Sequence, residues 1–290
     1  MAAWRERARM AEGLGYSTLY VSDHLDDQFG PLVAMTVAAE ATSTLSVGSL
    51  VLDNDFRHPV VLAKEIATLG LAAEGRVEVG LGAGWLHSDY EPSGIDFDDA
   101  SVRVKRLAES LAIMKALWTD GEATLAGRYY SVRGARCDPR PEAPPRTIVG
   151  GGSRRVLTMA AQEADIVGVN TNLSSGEYAG APALRVNLDH YDRCLAWVRE
   201  AAGDRFDALE LQVLAFNVMV VPSQMAAARC ARLLGLPEEA LDLPIVLIGT
   251  EDDICDRLFE RRERWGFSNI VVPDDAMETF APVVARLTGA

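Results

Sequence analysis

Along the chain the spacing of apolar positions switches repeatedly between a helical period and a strand period. Residues 4–14 keep their apolar side chains on one helical face and close at Gly13 and Gly15. Residues 16–21 are aromatic and β-branched and predict a strand. The alternation continues with a helix at 31–42, a strand at 45–52, a helix at 59–71 and a strand at 76–82. Both of those helices open on proline, whose missing N–H costs nothing in a first turn. A long helix is predicted over 99–118, with Leu107, Leu111, Met114 and Leu117 on its core face. A small hairpin at 121–132 and a Pro-rich connector at 137–145 follow. The strand at 146–149 runs into three glycines, and Ser153 caps a helix that reaches Glu163. Then come a strand at 165–169, a Gly/Ser-rich loop at 172–182, a helix at 183–202, one long apolar strand at 209–221 and a helix at 223–234. A short extended piece at 243–248, a helix at 251–265, a strand at 268–272 and a helix at 277–287 complete the chain.

Apolar strands that alternate with helices imply a parallel sheet with helices on its faces. No linker interrupts the alternation, so residues 1–290 are read as one α/β domain. A doubly wound sheet would open on a strand and a phosphate-binding glycine loop, and neither begins this chain. Seven core strands with a helix ahead of the first fit a TIM (β/α)8 barrel apparently lacking its first strand. Such a barrel should show a gap beside the strand at 16–21, with an upstream strand as the expected filler.

Composition narrows the function. Asp and Glu outnumber Lys and Arg by 42 to 28, a net charge of −14. Nucleic acid and anionic membranes are therefore not expected partners, since both require local positive charge. The cysteines at 137, 194, 230 and 255 lie far apart, without zinc spacing, and no metal is expected. No signal-peptide core opens the chain and no apolar run approaches a membrane span. A cytoplasmic protein acting on a small molecule is the expectation.

Three strand exits carry candidate chemistry, because C-terminal strand ends face the active site of a barrel. Ser22-Asp23-His24 leaves the first predicted strand, and histidine exchanges protons near neutrality. Gly80-Leu81-Gly82-Ala83-Gly84-Trp85 leaves another; its glycines either admit a ligand or make a tight strand exit. Gly150-Gly151-Gly152-Ser153-Arg154-Arg155 leaves a third and opens a helix, an anion-binding arrangement with two arginines. Arg57 can meet an anion or pair with Asp53 or Asp55; His87 can line the pocket; His190 reads as a surface residue.

As a set, these segments resemble the luciferase-like monooxygenase superfamily, and within it the deazaflavin (coenzyme F420)-dependent branch. The likeness rests on residues 11–16 running into Val21-Ser22-Asp23-His24-Leu25, on 47–52 with Phe56-Arg57-His58-Pro59, on 75–85, and on 149–152 with 164–167. The resemblance implies a cofactor ring at the C-terminal mouth faced by His24 as the catalytic residue. It implies a non-prolyl cis peptide at Leu50-Val51 behind the ring and a cofactor-phosphate turn at Gly150, Gly151 and Gly152. The cofactor site it outlines also takes in Asp23, Asp53, Gly82, Ala83, Gly84, Trp85, Ser153 and Arg154. Sugar-phosphate dehydrogenases of the branch carry a glutamate after G-x-G; here that place is Trp85. A homodimer is expected. Three readings stay open: an F420-dependent oxidoreductase, an FMN-dependent monooxygenase, and a non-catalytic paralogue or partner subunit.

Overall fold

The computed structural model describes residues 1–171 and 187–288. In chain order its elements are α1 (Ala2–Gly13), β1 (Thr18–Val21), α2 (Pro31–Ala41), β2 (Ser46–Asp53), α3 (Pro59–Ala72), β3 (Val77–Gly82), α4 (His87–Ser93) and α5 (Ala100–Thr119). The hairpin β4 (Glu122–Ala126) and β5 (Ser131–Arg136) precedes β6 (Arg146–Gly151), α6 (Arg154–Glu163), β7 (Ile166–Val169) and α7 (Leu188–Ala202). Then come β8 (Glu210–Leu214), β9 (Asn217–Val220), α8 (Gln224–Leu233), β10 (Val246–Gly249), α9 (Glu251–Trp265), β11 (Phe267–Val271) and α10 (Met277–Leu287). The loop expected at 172–182 and the first residues of the helix expected from 183 lie outside the described residues.

Seven strands form one sheet in the order β1-β2-β3-β6-β7-β8-β11, every neighbouring pair parallel. β3 is buried along its whole length and β7 likewise, as strands covered on both faces must be. The sheet curls but does not close among the described residues. Tyr20 of β1 donates its hydroxyl hydrogen to Glu78 of β3 and accepts from Gln212 of β8 (3.2 Å) and Asn269 of β11 (3.4 Å). Side chains of the two edge strands thus meet inside the curl, while their backbones leave a groove of about 430 Å³ between them, lined by Tyr16, Ser17, Ser268, Asn269, Phe280 and Val284 among others. The expected gap beside β1 is present.

One long strand was expected at 209–221; the structure has two, in different sheets. At Ala215 the chain still bonds to β11 (Ala215 N to Val271 O, 2.8 Å), but Phe216 N turns to Ile245 O (2.9 Å), and β9 pairs with β10 as a separate two-stranded ribbon. Both pieces are apolar because each covers a core, β8 the main one and β9 a smaller cluster of Ala215, Leu247, Ile254, Leu258, Phe280 and Val283. Hydropathy carries no mark at such a change of partner. The helix α1, ahead of β1, is fastened to its neighbours by Trp4 Nε1 donating to Ala34 O (2.8 Å). The Glu12 carboxylate adds to this by accepting the backbone N–H of Ser43, Thr44 and Leu45.

Candidate active site

Because all seven strands run parallel, the exits of β1, β2, β3, β6 and β7 lie at one end of the sheet. At the β1 exit, Asp23 is buried. Its Oδ2 accepts the N–H of Asp53 (3.0 Å), and Arg57 forks onto both oxygens (Nη2 to Oδ1, 3.0 Å). Asp23 therefore clamps the β1 exit to the β2 exit, and Arg57 pairs with Asp23 rather than with Asp53, Asp55 or an anion. Adjacency of β1 and β2 makes Asp23 the nearest carboxylate. His24 keeps 24 % of its side chain exposed and places Nδ1 2.7 Å from Asp89 Oδ2. Its ring meets Trp85 edge to face, with centroids 5.8 Å apart and planes at 87°.

Asp89 and Tyr90 are the site residues that motif reasoning missed. They sit on α4, a seven-residue helix with Pro92 inside and Gly94 ending it in the left-handed region at φ 71°. Its shortness and its proline hide the helical period; the glycine stop was the available signal. Tyr90 is fully buried and donates to Asp53, whose oxygens lie 3.0 and 2.8 Å away. Asp55 accepts two hydrogen bonds of 2.8 Å from Arg106. Burial pushes the Asp53 carboxyl up to about 6, further than the hydrogen bonds from Asp55 N–H and Tyr90 pull it down. A carboxyl that holds its proton more tightly folded than unfolded favours folding below its ordinary value, and that contribution is lost as pH rises through 6. Asp53→Asn is therefore expected to raise stability by about 1–3 kcal/mol at pH 7 and to change it little near pH 4. Thermal melts at the two pH values test this; equal gains at both would contradict it.

The Leu50-Val51 peptide is cis, as the resemblance implied. The glycines of β3 and its exit are set against neighbouring groups. A Cβ on Gly82 would lie 2.5 Å from Val51 Cγ2, and one on Gly84, at φ +75°, 1.8 Å from the Tyr90 hydroxyl. The carbonyls of Ala83 and Gly84 accept from Arg103 (3.1 and 3.3 Å), whose guanidinium lies over Phe97. Packing alone thus requires glycine at 82 and 84.

At the β6 exit a Cβ on Gly150 would come within 2.8 Å of Gly168 O, and one on Gly151 within 2.9 Å of Val156 Cγ1. The Ser153 side chain caps α6 by accepting from Val156 N, leaving the half-exposed turn 151–153 at the start of the helix. Arg154 faces outward and pairs with Glu200 (3.0 Å), so it is not held at the turn. Beside the turn, Asn170 N bonds to Gly151 O (3.1 Å). Asn170 Oδ1 and Thr171 Oγ1 are buried without a hydrogen-bond partner among the described residues. The backbone N–H groups at the start of α6 and the Thr171 hydroxyl are donors that fit a phosphate-bearing ligand, whereas Asn170 Oδ1 only accepts. His24 and the turn leave strands that are three apart in the sheet order.

The other histidines stand apart from this arrangement. His87 is exposed on α4, meets Phe97 edge to face and lies near Glu91. His190, expected at the surface, is half-buried with Nε2 3.0 Å from Asn170 O, because its place in the first turn of α7 brings it against the β7 exit. His58 caps α3. Among the described residues no group of side chains could hold a metal, and no helix is long and apolar enough to cross a membrane.

Comparison with known proteins bears on the same residues. The chain is 32% identical over 168 residues to an F420-dependent glucose-6-phosphate dehydrogenase of Amycolatopsis mediterranei, 55% of this chain and 50% of that one. It thus spans about half the length of the curated relatives it matches. Its fold superposes on the coenzyme F420-dependent tetrahydromethanopterin reductase of Methanopyrus kandleri with a TM-score of 0.76 at 17% identity, covering 98% of this chain and 95% of that one. A monooxygenase of Streptomyces bottropensis gives 0.76 at 18% identity, covering 99% and 94%. Residues 1–208 match the sequence profile of the luciferase-like monooxygenases, and the chain belongs to that family.

Proposed function

We propose that the protein is an oxidoreductase moving hydride between coenzyme F420 and a small organic substrate, with His24 exchanging the accompanying proton. F420, when bound, supplies the carbon that accepts or releases the hydride. The protein's part is binding and proton handling. Residues 150–153 with the Thr171 hydroxyl would hold the phosphate arm, the strand exits at Leu50, Val51, Asp53 and 82–85 would back the ring, and His24 would exchange protons with the substrate heteroatom. The observation carrying the reading is His24 anchored by Asp89 at the β1 exit of a chain 32% identical over 168 residues to an F420-dependent enzyme. Glucose 6-phosphate is not carried over as substrate, because Trp85 stands where that activity's glutamate would be.

Titration with F420 and with FMN, followed by fluorescence quenching, tests the choice of cofactor. F420 is expected to bind at micromolar concentration and FMN at least about tenfold more weakly, a difference of ~1.4 kcal/mol. Preference for FMN would replace this reading with the monooxygenase, and binding of neither would leave the non-catalytic subunit.

A further inference from the structure

We infer that Asp89 is the positioning residue for His24, fixing the proton of the imidazole on Nδ1 so that Nε2 is the nitrogen that exchanges protons with substrate. The inference rests on the function proposed for His24 and names the residue that makes it competent.

Three observations carry it. A carboxylate only accepts hydrogen bonds, so the 2.7 Å contact between Asp89 Oδ2 and His24 Nδ1 requires the hydrogen on Nδ1. Nε2 of the neutral ring then holds the lone pair, and it carries no hydrogen bond among the described residues. Secondly, the carboxylate is itself held. Its Oδ1 accepts the N–H of Leu25 at 3.1 Å, and Asp89 is only 6% exposed. The two oxygens therefore grip the ring and the backbone directly after it, and the imidazole cannot turn about its side-chain bonds without losing a charge-assisted bond in a partly desolvated site. Thirdly, the edge-to-face contact with Trp85 limits the ring from another side. Trp85 lies just ahead of α4 and Asp89 in its first turn, so one short segment supplies both the stop and the anchor. Ser93 Oγ ties that helix by donating to the Asp89 carbonyl (2.7 Å).

The test compares Asp89→Asn with Asp89→Glu. In Asp89→Asn the amide oxygen is expected to stay on Leu25 N–H, which turns the NH2 toward Nδ1 and makes Nδ1 an acceptor. The ring proton then moves to Nε2, the wrong nitrogen for accepting a substrate proton. Asp89→Glu keeps a carboxylate. ¹⁵N NMR of histidine-labelled, cofactor-free protein reads the tautomer, with the His24 signals identified by their loss in His24→Ala. The expected result is Nδ1–H in the wild type and in Asp89→Glu, and Nε2–H in Asp89→Asn. With F420 and any alcohol or sugar phosphate the wild type oxidises, Asp89→Asn should lower kcat about 10²-fold or more. KM and F420 affinity should stay within about threefold, and Asp89→Glu should recover most of the loss. Nδ1–H persisting in Asp89→Asn, or kcat unchanged in it, would overturn the inference. So would a loss that Asp89→Glu shares with its tautomer intact. A wild type that neither binds F420 nor turns over would defeat the proposed function instead, and the tautomer would still decide the role of Asp89.

Discussion

His24→Ala is expected to bind F420 within about threefold of the wild type and to turn over ~10²–10⁴-fold more slowly. The ring stands at the β1 exit with a quarter of its side chain exposed, so its removal opens little of the core. Asp89 keeps its bond from Leu25 N–H, and Asp23 keeps its hold on Asp53 N–H and Arg57, so the strand exits stay clamped. What disappears is the imidazole at the β1 exit. The proton that accompanies hydride transfer must then reach water without a positioned acceptor, which is where the rate should fall. Fluorescence titration measures the affinity and steady-state kinetics the rate. A loss confined to F420 affinity, with kcat preserved, would make His24 a binding residue and remove its catalytic role.

Much of this arrangement is legible in the sequence, and for definite reasons. Strands covered on both faces, such as β3 and β7, are apolar runs, and the seven strands of the main sheet overlap the strands expected at 16–21, 45–52, 76–82, 146–149, 165–169, 209–221 and 268–272. Ser22-Asp23-His24 stands out because a polar triplet follows a strand directly. What stays hidden depends on geometry between segments far apart in the chain. Nothing local shows that Asp23 is consumed by Arg57, 34 residues later, or that Asp89 closes on His24 from 65 residues away. The partner switch at Ala215 is invisible because both partners want apolar side chains. The outward turn of Arg154 follows from Glu200 on the neighbouring helix α7, which no motif around residue 154 could announce.

The glycines of β3 mislead in another way, and Gly80→Ala should expose it. The pattern Gly80-Leu81-Gly82-Ala83-Gly84 invites the reading that a ligand approaches the backbone. At Gly80 the space is already taken by the protein. A Cβ there would lie 2.1 Å from Ser49 O and 3.0 Å from Val51 Cγ1. Ser49 is fully buried, donates its hydroxyl to Gly80 O (2.9 Å) and accepts from Gly80 N (2.9 Å), so β2 and β3 are interlocked at this point. The methyl cannot be relieved by a side-chain rotation, because the nearest atom is backbone. β2 and β3 must separate, at the cost of those two buried hydrogen bonds and of packing on either side. The expected loss is about 4 kcal/mol or more, enough to leave Gly80→Ala largely insoluble or to lower its melting temperature by ~8 °C or more. Gly13→Ala is the control: it lies exposed at the end of α1, a Cβ meets nothing within 4 Å, and the change should be neutral or stabilise by about 0.5–1 kcal/mol. If Gly80→Ala melts within a degree or two of the wild type, strand interlock does not explain the glycine, and a ligand approaching β3 becomes the better account of it.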